Sequence, residues 1–131
     1  MTTLTDPQKR WIKALRSGQY KQGKHQLHSG DKFCCLGVAC DLFKEELELD
    51  TREAEMLGCE EKCTVYDSEW TVLPDVVQEH LDLKTIDGSP TLSEEDTFSL
   101  VSLNDGGMSF SQIADRLETG DYFLSQEETN V

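Results

Sequence analysis

Long apolar runs are missing from this sequence. No stretch approaches the roughly 18 consecutive apolar residues that a membrane-spanning helix needs, and the mean hydropathy is −0.52, so no such helix is expected. Positive charge is scarce as well: 12 Lys/Arg stand against 26 Asp/Glu, for a formal net charge of −14. A field of that sign repels polyanions at long range, which argues against non-specific binding to nucleic acid or to an anionic membrane. Histidine occurs three times, as His25, His28 and His80, which narrows the choice of any general base. Internal repeats and low-complexity stretches are absent. The opening MTTLTDPQKRW carries no apolar run behind a basic start, and the expected location is the cytosol.

What is present fits one domain. With 131 residues, 37% of them hydrophobic and 29% charged, the chain can close one core but not two. Its five cysteines are an odd number, which together with the unremarkable start reads as reduced thiols rather than a disulfide framework. Cys34, Cys35 and Cys40 lie in the apolar run FCCLGVAC, where cysteine behaves as a small buried hydrophobe. The charge is unevenly distributed. Residues 1–44 hold eight Lys/Arg against Asp6, Asp31 and Asp41, a net +5, whereas the remainder holds Arg52, Lys62, Lys84 and Arg116 against 23 acids, a net −19.

The local signals predict an α+β fold of about five helices packed around Cys34–Phe43 with a small antiparallel sheet or hairpin. Its expected extent is residues 1–123, with a flexible acidic tail over 124–131. A first helix over 7–17 is predicted from Asp6 as N-cap, Pro7 in the first turn, Trp11, Ala14 and Leu15 on one face, and Gly18 as the stop. Leu27 and Phe33 flank Ser29-Gly30-Asp31, the signature of a hairpin turn. The run LGVACDLFKEELEL has Leu36, Ala39, Leu42, Phe43 and Leu47 at helical spacing and predicts a central second helix. Residues 49–72 predict one or two short strands, with Cys63-Thr64-Val65-Tyr66 the most β-prone stretch. Pro74 opens a third helix through Leu81. Two capping boxes, Ser93 with Asp96 and Ser109 with Gln112, start the last two helices, with the polar turn Asn104-Asp105-Gly106-Gly107 between them.

The segments WIKALRSGQYKQGK, KFCCLGVACDLF, LPDVVQEHL and LNDGGMSFSQIADRLE, in that order, resemble a family of small proteins scattered through bacteriophage and prophage genomes. The resemblance spans most of residues 11–119, and KFCCLGVACDLF is its most specific element. It implies a phage accessory context and transfers no catalytic residue. The segment from Leu49 to Trp70, with Cys59 and Cys63, lies outside the pattern.

Four kinds of chemistry can be weighed on the residues themselves. Zinc needs two ligand pairs. Cys59 and Cys63 form one, Cys34 and Cys35 are adjacent and apolar in context, and no metal or other cofactor is expected. Cysteine catalysis would use Cys34 or Cys35 at the start of the second helix, where the dipole lowers a thiol pKa, with His25 as base; this is the hydrolase or amidase alternative. Ser109-Phe110-Ser111-Gln112-Ile113-Ala114 echoes a DNA-reading helix, but only Arg116 is basic among Asp115, Glu118 and Asp121, so nucleic acid is not the expected partner.

The favoured chemistry is anion binding. Arg16, Lys21, Lys24 and Lys32 would converge on a phosphate, Tyr20 would offer a face to a base, Gln22 a donor and acceptor, and Gly23 close backbone approach. Asn104 and Asp105 would add specificity. Joined to the phage resemblance, this leads to an expectation of a non-catalytic accessory protein in the host cytosol that counteracts antiviral defence by sequestering a small nucleotide signal. The alternative partner is a basic, nucleic-acid-binding host protein held by the acidic surface. Self-association into a homo-oligomer is compatible with either.

Overall fold

In the computed structural model, residues 4–24, 26–55, 62–87, 99–119 and 122–123 are described. Helix α1 covers Asp6–Arg16. Its N-cap is Thr5, not Asp6: Thr5 Oγ1 accepts from the Gln8 amide at 3.3 Å and Gln8 Oε1 accepts from the Thr5 amide at 2.9 Å. Gln8 at the third helical position makes that reciprocal bond available to Thr5, and Asp6 becomes the acid of the first turn, where the helix dipole favours it. Trp11, Ile12 and Leu15 form the buried face. Gly18, at φ +77°, then turns the chain.

Three short strands follow: β1 (Lys21–Gln22), β2 (His28–Ser29) and β3 (Lys32–Phe33). The predicted hairpin is β2–β3, antiparallel, with His28 opposite Phe33 and Ser29 opposite Lys32. Unanticipated is β1, which lies parallel to β3. With β4 (Thr51–Ala54) and β5 (Cys63–Tyr66) the sheet order is β1-β3-β2-β5-β4. The sheet is therefore mixed rather than antiparallel, because the chain leaving α1 enters beside β3 without reversing.

Helix α2 (Cys35–Phe43) is buried along nearly its whole length. It ends earlier than the apolar spacing through Leu47 predicts. The Leu49 amide reaches back to the Lys44 carbonyl at 2.9 Å, Glu48 sits at φ +53°, and the chain folds over so that Leu49 is buried without a further helical turn. Helices α3 (Asp75–Leu81) and α5 (Phe110–Thr119) start as predicted. Pro74 caps the first, and Ser109 and Gln112 exchange bonds of 3.0 and 3.2 Å at the second. Helix α4 (Leu100–Asp105) is capped by Ser99, whose hydroxyl accepts from Ser102 at 3.1 Å. The predicted Ser93–Asp96 box and the 124–131 tail lie outside the described residues.

Helix α2 is central, packed against α1, α3, α4 and β3, while α1 also packs along α5. Trp11 ties the first two helices together, its indole Nε1 donating to the Cys35 carbonyl at 3.0 Å. The closest approach is at Gly37, where a Cβ would stand 1.7 Å from the Leu27 carbonyl oxygen. No side chain fits there. Gly37→Ala is expected to destabilise the protein by about 3 kcal/mol through this overpacking, read as a lower midpoint in urea unfolding; an unchanged midpoint would show that α2 can back away from Leu27.

Candidate functional site

The predicted cations are divided: Lys21 and Lys32 are register partners on the neighbouring strands β1 and β3, whereas Arg16 is engaged elsewhere. Arg16 faces α5, donating to Asp115 at 2.6 Å and also to Glu118, and these bonds raise its pKa. Lys21 pairs with Asp31 at 2.8 Å on the exposed edge of the hairpin. Lys24 and Lys32 are exposed. Arg16 and Lys21 each have an acid within ion-pair distance, contributed by α5 and by the hairpin turn respectively. The same pairing gives α5 a structural role: its Asp115 and Glu118 hold α1, and its Ile113, Ala114 and Leu117 are buried.

Gln22, Gly23 and Asn104 do come together, around the fully buried Asn104. Its Oδ1 accepts from the Gln22 side chain at 2.9 Å and from the Cys35 amide at 3.2 Å, while its Nδ2 donates to the Gly23 carbonyl at 2.7 Å. Gln22 also donates to the Met108 carbonyl at 2.6 Å. Asp105 is adjacent, with Oδ1 at the 3.5 Å limit of a bond from Asn104. The Asn104 amide thus satisfies the start of α2 and the end of β1, and Gln22 satisfies the α4–α5 turn. Asn104→Ala would strand the Cys35 N–H and the Gly23 C=O in the interior, and a loss of about 3 kcal/mol is expected, measured by chemical denaturation. A loss below about 1 kcal/mol would mean that water substitutes for the amide.

Cys34 and Cys35 are buried free thiols. Cys34 caps α2, its Sγ accepting from the Gly37 amide at 3.4 Å, yet its pKa is pushed up to about 11, chiefly by burial. Cys35 is raised as well, again by burial, with Sγ 3.7 Å from the Leu100 carbonyl. The expected lowering by the helix dipole is therefore overturned: desolvation of a thiolate outweighs one turn of aligned amides. His25, the expected base, lies outside the described residues. His80 is occupied elsewhere, packed edge-on against Phe43 with Nε2 3.2 Å from Glu46, close enough for an ion pair but not aligned as a hydrogen bond. Among the described residues no three His, Cys, Asp or Glu side chains come together as metal ligands. Cys34 in the native protein is expected to alkylate on the order of a hundredfold more slowly than a free thiol at neutral pH, with the rate climbing toward pH 11, followed peptide by peptide in a mass spectrometer. Reaction at the free-thiol rate would reinstate the nucleophile.

A different set of side chains forms the polar cleft. It encloses about 360 Å³ and is lined by His28, Lys44, Thr51, Arg52, Glu53, Thr64 and Tyr66. Its floor is the β2–β5–β4 part of the sheet. Thr51 lies opposite Tyr66 and Glu53 opposite Thr64, so these four share one face of the sheet. The His28 ring stacks on Phe33 at 3.8 Å and 17°, and its Nδ1 shares a 3.1 Å hydrogen bond with the Tyr66 hydroxyl. Burial lowers the His28 pKa against the opposing pull of Asp41, leaving a neutral imidazole at pH 7.

Asp41, on α2, organises the rim. It accepts from the Tyr20 hydroxyl at 2.9 Å and from Lys44 Nζ at 2.9 Å. Burial first, and Asp41 second, raise Tyr20 to about 12 and Tyr66 higher still, so both phenols remain donors at neutral pH. The Tyr20 ring stands nearly perpendicular to that of Phe33, with centroids 5.0 Å apart. Lys44, Arg52 and Asp41 entered the sequence reading only as charges. Asp41 and Lys44 meet through their i,i+3 spacing at the end of α2, while Arg52 comes from β4, whose pairing with β5 neither strand's composition encodes.

A profile of a domain of unknown function (DUF8296) matches residues 5–121. The chain belongs to this family. The matched span runs from the Thr5 cap to just beyond α5 and takes in every element described here, the cleft included. No curated protein and no solved structure matches the chain.

Proposed function

We propose that this DUF8296 protein binds a small anionic ligand, a nucleotide or a fragment of one, in the cleft between α2 and the β4–β5 edge. The observation that carries this reading is the presence of Lys44 and Arg52 along one concave site with the threonines Thr51 and Thr64. Cations beside hydroxyl donors are what a phosphate group requires, and the volume is at the lower end of the range for small-ligand sites. Position also favours it. Lys44 is oriented by Asp41 at 2.9 Å, which reduces the entropy lost when an anion is gripped.

The site calls for no catalytic group. Its histidine is neutral, stacked and hydrogen-bonded, and the thiols at α2 are buried and protonated. The resemblance of WIKALRSGQYKQGK and KFCCLGVACDLF to small phage and prophage proteins supports the wider form of the proposal: an accessory protein in the bacterial cytosol that withdraws a nucleotide signal from host defence.

Thermal-shift measurements against nucleoside monophosphates, sugar phosphates and orthophosphate test the binding step. Ligands that bind only the folded state raise the melting temperature by mass action. At least one phosphate compound is expected to do so in the wild type and not in the Lys44→Ala/Arg52→Ala double variant. An equal shift in both proteins would move the site elsewhere, and no shift with any compound would remove the proposal.

A further inference from the structure

We infer that the cleft takes up a proton at His28 when it binds its anion, so that the anion is held more tightly as the pH falls. The inference rests on the anion-binding reading above and adds its regulation. It follows from how side chains alternate along the strands. Thr51 with Tyr66, and Glu53 with Thr64, are partners on one face of the β4–β5 ladder, whereas Arg52 is the partner of Val65 on the other. His28 belongs to the first face, because its neighbour Ser29 is the partner of Cys63, and Cys63 shares the face of Arg52 and Val65. Lys44, the other cation of the cleft, is already met by Asp41 at 2.9 Å, and Glu53 adds a carboxylate. Of the cleft residues on the His28 face, His28 alone can become positive.

The surroundings of His28 accommodate both protonation states. Nδ1 lies 3.1 Å from the Tyr66 hydroxyl, and a hydroxyl either donates to a bare nitrogen or accepts from a protonated one. Proton uptake therefore reverses this bond without breaking it. Phe33 stacks on the ring at 3.8 Å, and an aromatic face attracts a cation. Asp41 on α2, Glu53 on β4 and the Gly30 backbone in the β2–β3 turn also favour the charged form. Tyr20 bears on this balance through its hydrogen bond to Asp41. Burial, the largest influence, and Lys44 oppose the charge, and burial holds the pKa below its ordinary value of 6.5. An anion in the cleft acts on both opponents: it offsets the charge of Lys44 and gives a half-buried imidazolium its counter-charge. The anion-bound protein thus holds the proton more firmly than the free protein. Affinity is greatest below the pKa of His28 in the free protein and falls as the pH rises through its pKa in the bound one.

Sulfate is the probe, because it keeps both its charges across the range in which histidine titrates. Titration calorimetry on the full chain at constant ionic strength is expected to show sulfate bound roughly tenfold more tightly at about pH 5.5 than at about pH 8. Repeating the titration in two buffers of different ionisation heat should show net proton uptake on binding. In His28→Gln the proton uptake and the gain at low pH should both disappear, and the proton count in the wild type makes the same test without any substitution. Equal affinity at the two pH values, binding without proton uptake, or an equally large pH dependence in His28→Gln would each overturn this inference while the anion-binding reading stands. Failure of sulfate to bind at either pH would also overturn it, and failure of orthophosphate as well would overturn the reading on which it rests.

Discussion

Helix α2 approaches the backbone at Leu27 more closely than any side chain allows, and most of the architecture follows from that contact. The Leu27 carbonyl, which lies where a Gly37 Cβ would be, also accepts from the Cys34 amide at 3.1 Å, and the Leu27 amide donates to the Trp70 carbonyl at 2.7 Å. One residue in the segment between β1 and β2 is thereby fixed to the start of α2 and to the chain beyond β5. With α2 so placed, Trp11 can reach the Cys35 carbonyl from α1 and Asn104 can reach the Cys35 amide from α4. The small residues of FCCLGVAC are required by this geometry: a helix pressed against a backbone has room for thiols and a glycine, not for large side chains on every face.

That requirement explains which features were legible in the sequence. The cysteine-rich run was recognisable as core because burial of an apolar helix depends on composition, and all of Cys35 to Cys40 is buried. The Ser109–Gln112 box and the turn at Gly30-Asp31 were legible because their bonds are local. Thr5 displaced Asp6 as cap for an equally local reason, the glutamine three residues on. The early end of α2 was hidden because Leu47 and Leu49 continue a helical spacing while packing from a turn. Parallel pairing of β1 with β3 was hidden as well, since two residues carry no period.

The binding residues separate in the same way. Gln22, Gly23 and Asn104 were singled out for their chemistry and do meet, yet they meet to satisfy buried backbone groups at the head of α2. Arg16 and Lys21 were singled out for charge and are paired with Asp115, Glu118 and Asp31. Charge in a sequence names what is available to bind but not its partner, and in a chain with 26 acids a partner is rarely far. Lys44 is paired in turn, with Asp41 at 2.9 Å, and lines the cleft together with Arg52.

Strand β4 carries a second meaning. Among the described residues it pairs only with β5, so it is the outer strand on that side of the sheet, and Thr51, Arg52 and Glu53 are exposed along it. An outer strand with free backbone groups invites another copy of itself, and charged side chains are a common deterrent to such pairing. The residues that would hold a ligand therefore also keep the molecule from adding strands to itself.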